Sequence, residues 1–173
     1  MDTAVVVRPA RAEEGAVIAA LMAPEIAAGN LLPRVVKPED FLVATHGEDV
    51  VGAVGLGAWT DDVAELGSLV SAAPGRGVGV ALVEAALAEA GARGYRTVVA
   101  LTGIPGFFVR QGFDVARATP WARARGCETL PVSPTLDRAL SAKARICAAC
   151  PRLAGCQQVL LAVSVAQALR AVA

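Results

Sequence analysis

AELGSLVSAAPGRGVGVALVEAALAEAGARGYRTVVALTGIPGFFVRQGF, residues 64–113, decides the fold of this chain. Ala64 to Val70 reads as an apolar strand. It runs into a Gly-rich turn, Gly75-Arg76-Gly77-Val78-Gly79, and a long helix starts directly after it. That helix carries Leu82, Val83, Ala86, Leu87 and Ala90 on one face, with Glu84 and Glu89 off it, a spacing that covers a sheet. Gly91 and Gly94 are expected to end it. A second strand, Thr97 to Leu101, follows, then a short helix carrying Phe107-Phe108 and ending at Gly112-Phe113. Free N–H groups of a Gly-rich turn at a helix N-terminus form a site for a phosphorylated ligand.

Working outward, Ala4 to Val7 is a short β-branched strand, and Glu13-Glu14 opens a helix through Met22, acidic at its start as the dipole favours. Pro24 restarts a helical piece to Ala28, and Gly29-Asn30 breaks it. Leu31-Leu32-Pro33-Arg34 is a loop. Phe41 to Thr45 and Val50 to Trp59 are strands joined by a hairpin turn at His46-Gly47-Glu48-Asp49. Thr60-Asp61-Asp62 then turns into the strand Val63 to Val70. Beyond Phe113, Pro120, Pro131, Pro134 and many Arg suggest loops, with one short helix near Leu136 to Arg145. Gln158 to Val165 is a last strand and Ala166 to Ala173 a short helix. The order describes a mixed α/β (α+β) chain around a largely antiparallel sheet, without internal repeats.

The bulk numbers exclude several functions. At 173 residues and 55% hydrophobic content the chain suffices for one globular domain, with a Cys-containing segment over about 127–173. Lys plus Arg equals Asp plus Glu, 16 each, which argues against nucleic acid or an anionic membrane as partner. Met1-Asp2-Thr3 has no basic region, and the apolar run after it stops at Arg8, unlike a signal peptide. The longest apolar runs, Val50 to Thr60 and Val159 to Leu169, contain Gly or Ser and Gln and read as buried strands or an amphipathic end. The expectation is a soluble cytoplasmic protein, with its four Cys reduced or metal-bound. The apolar segment from Val159 is a candidate surface for a homodimer.

Three Gly-rich turns fit between a strand and a helix. A mononucleotide P-loop needs Gly-Lys-Ser/Thr, and Val80 follows Gly79 here. A Rossmann turn needs G-x-G-x-x-G early in a βαβ unit, whereas this turn comes after four strands and lacks the third Gly at that offset. The pyrophosphate turn of coenzyme A-dependent acetyltransferases has the right strand order. A plain strand-helix turn has no use for three glycines in five residues, given their cost in chain entropy.

Ala64-Glu65-Leu66, Ser68-Leu69, the turn at 75–79, Leu101-Thr102, Pro105, Phe107-Phe108 and Gly112-Phe113 together resemble GNAT N-acetyltransferases. In particular they are similar to the amino-acid N-acetyltransferases of arginine biosynthesis, the N-acetylglutamate synthases. Asn30-Leu31-Leu32-Pro33-Arg34 resembles the substrate loop of that subgroup. Cys147-Ala148-Ala149-Cys150-Pro151-Arg152-Leu153 and Cys156-Gln157-Gln158-Val159 resemble the tail of its short stand-alone members. The resemblance covers most of the chain except about residues 115–142. It implies the GNAT acyl-CoA N-acyltransferase fold and acetyl-CoA as donor. It also implies that β-strand residues Leu69 and Val70 lie beside the acetyl group, where a backbone N–H polarises the thioester carbonyl. By the same resemblance Gly75, Arg76, Gly77, Val78 and Gly79 lie on the pyrophosphate, and Phe107 and Phe108 flank the pantetheine. Core packing is the plain alternative for both Phe residues.

The chain departs from the family pattern in places. The turn is about two residues shorter after Leu69. Pro74, without an N–H, stands where Arg or Gln is usual, and Gly67 where Arg is usual. Phe108 takes the place of a Tyr that serves many members as general acid, and the sole Tyr, Tyr95, reads as structural. A thiol with a pKa of about 8.5 still leaves as thiolate. Glu65 is the candidate base, acting through water, or else a satisfied strand-end carboxylate. Arg34 is the candidate ligand for a substrate carboxylate, or a solvated loop Arg. Lys143 and Arg145 lie near a basic family position but out of register, and His46 reads as a turn residue.

Cys127, Cys147, Cys150 and Cys156 supply four thiols, either for a structural Zn²⁺ or as buried reduced side chains. The expected activity is acetyl transfer from acetyl-CoA to the α-amino group of a small amino acid, glutamate first, in a ternary complex. The alternatives are another small amine acceptor, or a coenzyme-binding sensor without turnover, which Pro74, Gly67 and Phe108 would suit.

Overall fold

A computed structural model describes residues 4–117, 150 and 153–172. The strands are β1 (Val6–Pro9), β2 (Phe41–His46), β3 (Asp49–Ala58), β4 (Val63–Ser71), β5 (Thr97–Thr102), β6 (Asp114–Arg117) and β7 (Val159–Ser164). The helices are α1 (Gly15–Ala27), α2 (Val78–Ala92), α3 (Pro105–Arg110) and α4 (Val165–Val172). The chain forms two compact units. The first holds residues 1–57 and 66–93, the second 58–65 and 94–173, so β4 contributes to both.

In the first unit the strand order is β1-β2-β3-β4, with β1–β2 and β2–β3 antiparallel. Ile18 and Met22 of α1 share a buried cluster with Phe41, Val43, Ala53 and Val70, while α2 contacts β1 and β2. Accordingly β2 is buried at every position from Phe41 to Thr45, as a strand covered on both faces must be. The helix face expected of α2 is the one it buries: Leu82, Val83, Ala86, Leu87 and Ala90, joined by Val78. Gly52 lets α2 approach β3. A Cβ there would lie 2.7 Å from Val78 Cγ1 and 3.0 Å from the Val70 carbonyl oxygen.

Several boundaries differ from the sequence reading. The first strand lies two residues later. α1 is one helix with Pro24 inside it, not two pieces. Pro24 forfeits one intrahelical bond, but Met22 before it and Ile26 after it pack on the same cluster and carry the helix across. Gly91 sits inside α2, and the left-handed residue that follows its end is Gly94, at φ 86°.

In the second unit the order is β4-β5-β7-β6. β7 pairs antiparallel with both β5 and β6, and its Val159, Leu160, Leu161 and Val163 are buried. β7 is therefore paired along both edges within this unit. The sequence predicts loop over the residues of β6. The strand has only four residues, too few for alternation to show, and exists by pairing with β7. The helix expected near Leu136 to Arg145 falls outside the described residues. Among those described, no helix is long and apolar enough to cross a membrane.

Candidate functional site

Within the first unit, β4 carries a left-handed residue, Ser68. Its φ of 51° is the one positive value outside glycine among the described residues. That conformation strains an L-residue and puts a local kink in an extended backbone. Burial follows the kink. Ala64, Leu66 and Val70 are buried, but Ser68, on the same alternation, is half-exposed like its neighbours Gly67 and Leu69. Leu69 and Val70 lie directly after this left-handed residue.

The turn that follows is built from short devices. Ala72 N–H donates to the Val51 carbonyl at 2.8 Å, and Ala73 N–H to Ser71 Oγ at 3.1 Å. Pro74 to Gly77 are exposed. Gly75 and Gly77 hold φ of 79° and 78°, which only glycine adopts without strain. Gly77 is the N-cap of α2 and no side chain caps that helix. Its carbonyl accepts Ala81 N–H at 3.0 Å, so the helix begins at Val78, inside the Gly-rich motif rather than after Gly79. The first-turn N–H groups therefore open toward the exposed turn, where the helix dipole favours an anion.

Arg34, in the loop between α1 and β2, reaches this same strand. Its Nη1 lies 3.5 Å from Ser68 Oγ, and its guanidinium carbon 5.4 Å from the centre of the buried Phe41 ring. The first contact is at the limit of a hydrogen bond and the second is a cation–π contact. Arg34 is exposed, and none of the ion pairs among the described residues involves it. Arg8 is the contrast. Its guanidinium grips Glu14 in two bonds, 2.9 and 2.6 Å, and Arg11 N–H adds a third at 2.7 Å. Chiefly through the Arg8 hydrogen bonds, the Glu14 carboxyl is lowered from 4.5 to about 2.

Within the second unit, Glu65 is half-buried and its Oε2 accepts the Trp59 indole N–H at 2.7 Å. Phe108 is 4% exposed. Its ring meets Phe107 and Phe113 edge-on, at centroid distances of 5.1 and 5.3 Å. Phe108 is thus a packing residue, and Phe107, half-exposed, keeps surface for a ligand. Cys150 and Cys156 are half-buried free thiols, while Cys127 and Cys147 fall outside the described residues, as do Lys143 and Arg145. Among the described residues no three metal-binding side chains converge. His46 is exposed beside the two-residue hairpin loop Gly47-Glu48.

The sequence reading missed Trp59, Phe41 and the kink itself. The hairpin signal could have found Trp59. A turn at 60–62 sends the chain back so that 65 returns toward 59. The kink has no sequence signal, because a serine stands where the backbone favours glycine and the glycine, Gly67, is one residue away.

Strand order and helix placement define an α+β acetyltransferase fold of the GNAT type. The sequence matches the profile of the Acetyltransferase (GNAT) family over residues 15–113, and the chain belongs to that family. Solved structures share the fold. N-acetylglutamate synthase from Neisseria gonorrhoeae, complexed with coenzyme A and N-acetyl-glutamate, is 21% identical with a TM-score of 0.69. That match covers 95% of this chain and 36% of the synthase, so this chain spans about a third of its length. Rv2747 from Mycobacterium tuberculosis, in complex with CoA, is 24% identical with a TM-score of 0.68, covering 92% of this chain and 98% of Rv2747. YncA from Salmonella typhimurium, with acetyl-CoA, is 16% identical with a TM-score of 0.64, covering 94% and 95%. No curated protein sequence matches this chain.

Proposed function

We propose that this chain transfers acetyl from acetyl-CoA to the α-amino group of a small amino acid, with glutamate as the first acceptor. The carrying observation is Arg34: an exposed guanidinium, outside the ion pairs among the described residues, laid over Phe41 and against Ser68 at the kink of β4. A guanidinium so presented suits a carboxylate, which it grips with two parallel bonds. The choice of glutamate rests on the resemblance to N-acetylglutamate synthases.

In this reading the backbone N–H groups of Gly75, Arg76, Gly77, Val78 and Gly79 hold the pyrophosphate at the start of α2. The N–H groups at Leu69 and Val70 polarise the thioester carbonyl. Phe107 forms an apolar wall for the pantetheine arm, with the buried Phe108 supporting its ring edge-on. Glu65 takes the proton of the acceptor ammonium through a water. The freed amine attacks the carbonyl carbon, the C–N bond forms, the C–S bond breaks, coenzyme A departs as thiolate, and the second proton of the attacking nitrogen passes to solvent water to leave the neutral amide. No hydroxyl stands at 108 to protonate the thiolate, and a thiol of pKa about 8.5 does not require one.

The test is incubation with acetyl-CoA and a pool of the twenty amino acids, with products read by mass. N-acetylglutamate alone supports the full reading. Another acetylated amino acid keeps the chemistry and removes glutamate. No product, with acetyl-CoA still bound, makes the chain a coenzyme-binding sensor.

A further inference from the structure

We propose that Trp59 is a positioning residue for acetyl transfer, its indole N–H fixing the orientation of the Glu65 carboxylate. This rests on the reading of Glu65 as the base. The bond is short, 2.7 Å to Oε2, and its direction is unambiguous, because an indole donates and cannot accept.

The ring is held from two sides. Its backbone is pinned at the corner between β3 and β4, where Trp59 N–H donates to the Val63 carbonyl at 2.8 Å. Thr60 Oγ1 accepts the N–H groups of Asp62 and Val63, and donates to Asp62 Oδ1 at 2.9 Å. The Asp62 carbonyl in turn accepts N–H groups from Arg96 and Thr97. The ring itself packs against the cluster of Val63, Val99, Ala116 and Leu160. Any large apolar ring could fill that place. Only one with an N–H also meets the carboxylate. A glutamate carries three rotatable side-chain bonds, and a base must be held close to its productive geometry to be effective. A donor on a rigid corner supplies that restraint without itself touching the reacting atoms.

The experiment removes the N–H and keeps the ring. Trp59→Phe is one variant. A second carries benzothienylalanine at 59, which replaces the indole N–H by sulfur at nearly constant shape. Steady-state turnover is measured with acetyl-CoA and the amino acid that the wild type acetylates, in wild-type and Glu65→Gln backgrounds. The expected result is a fall in kcat on the order of 10-fold, with KM for acetyl-CoA within about twofold of wild type. In Glu65→Gln the same replacements should lower kcat no further, since residues acting as one unit are not additive. Wild-type kcat in the benzothienylalanine protein overturns the proposal. So does an equal loss in the Glu65→Gln background, which would mean the ring serves packing alone. Wild-type kcat in Glu65→Gln itself overturns the base reading beneath it, and is distinguished by needing no change at Trp59.

Discussion

Arg34 in the first unit and Glu65 in the second are held in opposite ways. Glu65 is half-buried and fixed by a 2.7 Å bond from a ring that is itself packed. Arg34 is exposed, resting on Ser68 at 3.5 Å and on Phe41 at 5.4 Å, weak contacts that a better partner can outcompete. The difference matches the two tasks proposed for them. A base needs a fixed direction before substrate arrives, whereas a carboxylate ligand must reserve its donors for the substrate. Arg8 sharpens the contrast from within Arg34's own unit. Both are guanidiniums, but Arg8 is committed to Glu14 and serves the fold.

The comparison is most exposed to failure at Arg34. Arg34→Ala should raise KM for the acceptor by about 10- to 100-fold, with the dissociation constant of acetyl-CoA unchanged. Arg34→Lys should recover part of the loss, because it keeps charge without the fork. An unchanged KM in Arg34→Ala would make this side chain a solvated loop residue.

Glu14 tests whether Arg8 differs in kind. Its carboxyl is lowered in the folded chain from 4.5 to about 2, so the stability it adds is full above pH 4.5 and is lost as pH falls toward 2. Glu14→Gln should destabilise by about 1–3 kcal/mol near neutral pH and flatten the acid limb of stability. Denaturant midpoints between pH 6 and 2 measure both. The kinetics of the folded variant should match wild type.

The smallest effect concerns the kink. Ser68→Gly relieves a left-handed serine and gains the unfolded chain entropy, so stability should change by about 1 kcal/mol or less. The loss of Oγ under Arg34 should raise acceptor KM by only about 2- to 3-fold. A thermal midpoint and a KM series read these separately. A large KM effect would show that Ser68 holds Arg34 more firmly than 3.5 Å suggests.

What was legible in the sequence follows the same division. Periodic burial was legible: the face of α2 from Leu82 to Ala90 and the β2–β3 hairpin come from patterns that local physics imposes. So was the Gly-rich turn, since two left-handed residues need glycine. β6 was not, because a four-residue strand is made by its neighbour. Neither was Pro24 within α1, where packing on either side overrides the local breaker. The candidate side chains, Glu65 and Arg34, could be singled out. Their restraints could not, because Trp59 and Phe41 act through contacts that only the folded chain brings about.

The most direct measurement is Glu65→Gln, followed by both turnover and acetyl-CoA binding in the folded variant. A fall in kcat of about 10²- to 10⁴-fold, with the dissociation constant of acetyl-CoA within about twofold of wild type, is the predicted result. Undiminished turnover, or a loss of coenzyme binding as large as the loss of rate, would contradict the assignment of proton transfer to this strand residue.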